Sequence, residues 1–106
     1  MFVTQEDVER DILDEKSSRK ILAYNEEVMM VEVSFDEGGI GEVHAHPHTQ
    51  ISYVAGGCFE FQLGDNKRIL HEGDSVLIPS GVRHGLKALQ DSIIVDVFTP
   101  CRKDFL

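Results

Sequence analysis

At 106 residues, 42% of them hydrophobic and 27% charged, the chain has the length and balance of one soluble globular domain spanning residues 1–106, and not those of a disordered or fibrous protein. Ten Lys and Arg against nineteen Asp and Glu give a formal net charge of −9; this excludes a diffuse basic footprint for nucleic acid and repels any anionic ligand not met by a local positive centre. The opening MFVTQEDVERD has no basic region followed by an apolar run, the longest apolar stretches are too short to cross a bilayer, and Cys58 and Cys101 lack C-x-x-C spacing. The expectation is a cytoplasmic protein with two free thiols and neither a nucleic-acid nor a membrane partner.

In chain order, the first segment, TQEDVERDILDEK, carries Val8, Ile12 and Leu13 at spacings of four and five, which suits either a short helix or an N-terminal edge strand or arm. From there the pattern is of strands. Apolar and β-branched runs are predicted as strands over 19–24, 27–35, 41–46, 50–56, 58–63, 67–72, 75–80 and 92–98, with a short ninth over 85–90. Turn signals at Asp36 to Gly39, Gly56-Gly57, Gly64 to Asn66 and Gly73-Asp74 mark the reversals. Short strands this evenly spaced, with no repeat and no linker, predict an all-β sandwich, barrel or jelly roll.

Four of the five histidines fall in two of these segments. In GGIGEVHAHPHTQISYVAGG, period-two alternation puts His44 and His46 on one face, and a small adjustment at Pro47 lets Gln50 join them. In EGDSVLIPSGVRHG a strand ends near Pro79, a turn passes Gly81, and His84 begins the return, aimed at the other three. Three imidazoles and an amide oxygen meet the needs of a divalent transition metal, with Zn, Ni, Fe, Mn and Cu all compatible with the donor set. His48 stands as an alternate to His46, because Pro47 disturbs the alternation. His71 reads as an ordinary strand-end residue.

The last strand places Ile94, Asp96 and Phe98 on one face and Ile93, Val95 and Val97 on the other. An Asp in mid-strand is unfavourable unless it faces water or is held inside for a purpose. The inward reading gives a carboxyl whose ionisation is shaped by burial and by nearby charge, as an acid or base requires. Arg102 either folds back over the mouth of the barrel as a two-pronged clamp for a carboxylate or lies in solvent as a tail arginine; Arg83 is a second such candidate.

These segments resemble the two motifs of the cupin superfamily. The pattern G-x5-H-x-H-x3-E-x6-G is met by Gly38, His44, His46, position 50 and Gly57, and G-x5-P-x-G-x2-H-x3-N by Gly73, Pro79, Gly81 and His84; Gln50 replaces the usual Glu, and Ala88 the usual Asn. The motifs lie at 38–57 and 73–88, and the resemblance implies a cupin β-barrel with a metal on His44, His46, Gln50 and His84. An amide in place of a carboxylate leaves the charge of a divalent ion undiminished, which supplies the positive centre that an anionic ligand of this acidic chain requires. The combination HAHPHTQISYV, Gln50 and the ending DVFTPCRKDFL resembles, more narrowly, the KdgF-type cupins of pectin and alginate breakdown. That resemblance implies an enzyme converting cyclic 4,5-unsaturated uronate monomers into linear keto forms, with Asp96, Phe98 and Arg102 as catalytic residues, and a homodimer. The alternatives are another cupin metalloenzyme, a dioxygenase or isomerase acting on a small oxygenated substrate, and a non-catalytic sugar-sensing module.

Overall fold

The computed structural model of the chain describes Met1–Leu106. It contains ten strands: β1 (Asp11–Asp14), β2 (Ser17–Tyr24), β3 (Met29–Phe35), β4 (Ile40–His44), β5 (Thr49–Gly56), β6 (Cys58–Leu63), β7 (Asn66–His71), β8 (Ser75–Ile78), β9 (His84–Ala88) and β10 (Ser92–Thr99). They form two antiparallel sheets, ordered β1-β2-β3-β10-β5-β8 and β4-β9-β6-β7, which face each other as the jelly roll that the strand spacing predicts. No helix is long and apolar enough to cross a membrane.

The N-terminal segment takes the strand alternative. Helical structure there is a single 3-10 turn, Gln5–Asp7, in which the Asp7 carboxylate accepts from the Thr4 backbone N–H and hydroxyl, both at 3.0 Å. Val8, Ile12 and Leu13 do not repeat often enough to make a helical stripe, whereas the edge of β2 offers backbone donors and acceptors. β1 pairs with it, Asp11 opposite Arg19 and Ile12 opposite Ser18.

The remaining predicted strands form with shifts of a few residues at their ends. The main difference is in β4, which stops at His44, so His46 lies in the loop beyond it. A second histidine on the same strand face is therefore not what brings the two rings together. Pro47 offers no N–H to a ladder, and the chain turns there before β5 begins at Thr49.

Inside the barrel, composition is graded from one end to the other. The inward faces carry Met29, Val31, Val33 and Phe35 on β3, Phe59 and Phe61 on β6, and Val54, Ile78, Ala88 and Ile94 on their neighbours, all buried. Phe35 and Phe59 meet edge to face with centroids 5.7 Å apart. Moving along β5, the inward residues change from Val54 to Ser52 to Gln50; on β10 they run Ile94, Asp96, Phe98, paired across as Ile94 with Val54, Asp96 with Ser52 and Phe98 with Gln50. One end is thus an apolar core, and at the other, polar side chains from β5 and β10 share a chamber with apolar ones. Gly57, at φ +83, closes the β5–β6 turn where any Cβ would collide with the Ser92 side chain and the Asp91 carbonyl.

Candidate metal and substrate site

The polar end brings the sequence-predicted residues together. His84 opens β9 after a turn through Gly81, whose φ of +79 only glycine adopts readily, and it lies directly opposite His44 of β4. The ligand atoms of His44, His46 and His84 all lie within 4.8 Å of one another. The ring of His44 is 4.5 Å from that of His84 and 5.5 Å from that of His46, centroid to centroid. His48 lies outside this cluster; its backbone carbonyl serves the cluster instead.

Each of the three rings is held the same way. His44 Nδ1–H donates to the Glu42 carbonyl at 2.8 Å, His46 Nδ1–H to the His48 carbonyl at 3.0 Å, and His84 Nδ1–H to the Val82 carbonyl at 2.9 Å. A carbonyl can only accept, so these contacts put the proton on Nδ1 and leave every Nε2 with a bare lone pair. The three lone pairs belong to the space between the rings. His84 Nε2 is buried there with no protein partner, and His46 Nε2 faces Gln50 Oε1 at 2.8 Å. Two acceptors at that distance are reconciled by a proton or by a cation. Burial, the largest influence on both, holds His46 and His84 below the ordinary histidine pKa and disfavours the proton. The donor set therefore fits a divalent metal ion.

Beside the imidazoles lies a cavity of about 140 Å³ whose lining includes His44, Gln50, His84, Asp96, Phe98 and Arg102. Asp96 turns inward and lines the cavity, its Oδ1 accepting a 2.6 Å hydrogen bond from Ser52 Oγ. Burial pushes its pKa from the ordinary aspartate range up to about 6, against the opposing pull of hydrogen bonds from Ser52 and Gln50 and of the positive charge of Arg102. Phe98 is buried on the same face, its ring 5.7 Å from that of His46.

Arg102 folds back over the chamber and is 8% exposed, so it is not a solvated tail arginine. Part of its fork is already engaged: Nε and Nη2 donate to the two oxygens of Asp104 at 3.0 and 2.8 Å. That charge-assisted pair draws the Asp104 carboxyl down to about 2. The guanidinium also lies 4.3 Å from the centroid of Phe105 and 5.1 Å from that of Phe98. Arg83 does not line the cavity.

Sequence reasoning missed Ser52, Asp104, Phe105 and Arg19. Ser52 was legible, because Q-I-S on a strand puts Gln50 and Ser52 on one face. Arg19 also points inward, paired with Val33, and its guanidinium lies 4.2 Å over the Phe105 ring. Nothing in the sequence signals that the last 3-10 turn, Lys103–Phe105, closes against β2.

Comparison with known proteins agrees with this geometry. Residues 31–98 match the cupin domain family. The chain is 43% identical over 90 residues to the pectin degradation protein KdgF of Dickeya dadantii (strain 3937), covering 83% of this chain and 82% of that one. Among solved structures, it superposes on KdgF from Halomonas sp. with a TM-score of 0.95 at 38% identity, over 100% of this chain and 98% of the other. An RmlC-like cupin from Shewanella frigidimarina NCIMB 400 gives the same TM-score at 37% identity, over 99% and 95% of the two chains. With its histidine cluster, inward Asp96 and graded barrel, the chain belongs to the cupin family and, within it, to the KdgF relatives.

Proposed function

We propose that the protein is a metal-dependent enzyme that converts cyclic 4,5-unsaturated uronate monomers into their linear keto forms. The observation that carries this reading is Asp96: a carboxyl with a pKa raised to about 6, facing the cavity beside three imidazoles and a guanidinium, is poised to take and return a proton near neutrality. The relationship to a protein named for pectin degradation supplies the substrate class.

His44, His46, Gln50 and His84 are the residues that would hold the metal, each imidazole through Nε2 and the amide through Oε1. A divalent ion bound there supplies Lewis acidity toward a substrate oxygen and a concentrated positive charge within a chain of net charge −9. Arg102, through N–H groups that Asp104 leaves unengaged, holds the substrate carboxylate. Asp96 accepts the proton of the anomeric hydroxyl as the bond between the anomeric carbon and the ring oxygen breaks. The electron pair of that bond stays on the ring oxygen as an enolate, and the proton held by Asp96 passes to the enol carbon to give the ketone. The reaction is an isomerisation and needs no oxidant. Phe98 packs on the sugar ring and restricts water.

Proton NMR of an unsaturated galacturonate monomer with the metal-loaded protein tests this: the vinyl signal should vanish faster than it does spontaneously, and Asp96→Asn should abolish the acceleration while retaining metal. An unaccelerated signal with wild type, or full activity in Asp96→Asn, overturns the mechanism.

We further propose that the protein is a cytoplasmic homodimer. Both cysteines are unpaired thiols, as suits a reducing compartment. The outer face of the six-stranded sheet carries an apolar row, Leu77, Ile51, Val97 and Met30, aligned across β8, β5, β10 and β3, with Leu77 and Ile51 half exposed. Such a patch is suited to pairing with a second copy. Light scattering should give twice the chain mass for wild type and a monomer for Ile51→Glu; a monomeric wild type removes the dimer.

A further inference from the structure

We infer that Ser52 is a positioning residue that sets which end of the Gln50 amide faces the imidazole cluster. The inference rests on the metal-site reading above and concerns a residue that reading does not use. Ser52 is 1% exposed, on the inward face of β5, and its hydroxyl sits between two partners. It receives Gln50 Nε2–H at 2.9 Å and donates to Asp96 Oδ1 at 2.6 Å. With Gln50 Oε1 at 2.8 Å from His46 Nε2, the four side chains form one unbroken line from the imidazoles to the carboxylate.

The direction of this line follows from donor counting. A hydroxyl has one hydrogen, and Asp96 takes it. Toward Gln50, Ser52 can then only accept, so the Gln50 end facing it must be the NH2 group. The amide oxygen is left pointing at His46. Were the amide reversed, its oxygen would face the Ser52 lone pair, and its N–H groups would face the bare imidazole nitrogens and exclude a cation. An amide has two unlike ends, and something must choose between them. A carboxylate at position 50 has two alike oxygens and needs no such choice. Ser52, together with the Asp96 carboxylate to which it donates, thus supplies the choice of end that an amide at position 50 requires.

A double-mutant cycle on metal affinity tests the assignment. Apparent affinities for Zn2+ and Ni2+ are measured by competition with a chromophoric chelator for wild type, Ser52→Ala, Gln50→Glu and the double variant, with thermal melting of each metal-free protein as the control for folding. Ser52→Ala should weaken binding by about tenfold, the low end of what loss of an orienting hydrogen bond to a ligand costs. In the Gln50→Glu background the same substitution should change affinity by less than about threefold, because either carboxylate oxygen serves. Equal losses in both backgrounds would mean that Ser52 acts only through packing and would overturn the assignment, as would an unchanged affinity in Ser52→Ala when wild type binds. Failure of wild type to take up either metal would instead overturn the metal-site reading itself, and the Ser52 assignment with it.

Discussion

Replacing Asp96 with Asn should make the metal-free protein more stable at neutral pH, although it removes the proposed catalytic group. Asn keeps the shape of the side chain and an oxygen that can accept from Ser52, so the main change is the loss of a buried charge. The folded-state pKa, about 6, stands roughly two pH units above that of an unfolded aspartate, and at about 1.4 kcal/mol per unit this amounts to roughly 3 kcal/mol. Asp96 borders a cavity rather than close-packed core, which softens the cost of its charge, and a gain of about 1–3 kcal/mol is expected. For a domain of this size this corresponds to a melting temperature at least ~4 °C higher. The pH dependence fixes the cause. Below the unfolded pKa both states carry a protonated Asp96 and no cost is incurred; between the unfolded and folded pKa the unfolded chain ionises first, so stability falls as pH rises and the loss is complete once pH has passed the folded pKa. The difference between Asp96→Asn and wild type should therefore be full above pH ~6 and shrink toward zero near pH ~4. Calorimetry of chelator-treated proteins across that range measures it. A variant no more stable than wild type at pH 7.5, or a difference that does not narrow on acidification, would refute the argument that desolvation governs Asp96.

Two further outcomes follow from the same chamber. In wild type, saturating metal at a hundredfold excess over its dissociation constant should stabilise the fold by about 2.7 kcal/mol; in His84→Ala that increment should largely disappear, and the metal-free variant should itself melt somewhat lower than wild type, because it loses the Nδ1–H bond to Val82 and the packing of a buried ring. Asp104→Asn should raise KM for the uronate roughly 3- to 10-fold with a smaller effect on kcat, because Arg102 loses the bidentate contact that aims it. Steady-state kinetics separates these, and a fall in KM would show that Asp104 competes with the substrate for the guanidinium.

Much of the architecture was legible because it depends on local pattern. Alternation in SIIVDVF placed Asp96 inward with Ile94 and Phe98, and the spacing of His44, His46, Gln50 and His84 brought those residues to one end of the barrel. What local pattern could not supply was the mechanism of convergence at His46. Alternation was the wrong reason for it: the residue sits past the end of β4, and its ring is aimed by a hydrogen bond to the His48 carbonyl. Nor does sequence reveal how tails fold back. Asp104 and Phe105 matter because the chain after Pro100 returns to β2 and Arg19, a long-range contact without periodicity. The ambiguity at the N-terminus was settled by an edge: β2 had unpaired backbone groups to offer, and a segment of weak helical character took them.

The pairing of β5 with β10 has a consequence for how such a protein acquires its chemistry. Gln50 and Ser52 hang from one strand and Asp96 and Phe98 from the other, locked opposite one another by the ladder. A slip of one residue would turn all of either strand's set to the outside while leaving a sheet with as many hydrogen bonds. Correct alignment of residues more than forty apart in the chain, Ser52 with Asp96 and Gln50 with Phe98, is thus the event that creates the chamber. A misaligned molecule would be folded in outline yet inert, so during synthesis and refolding the fraction of active protein reports on registration more sensitively than any measure of β-content.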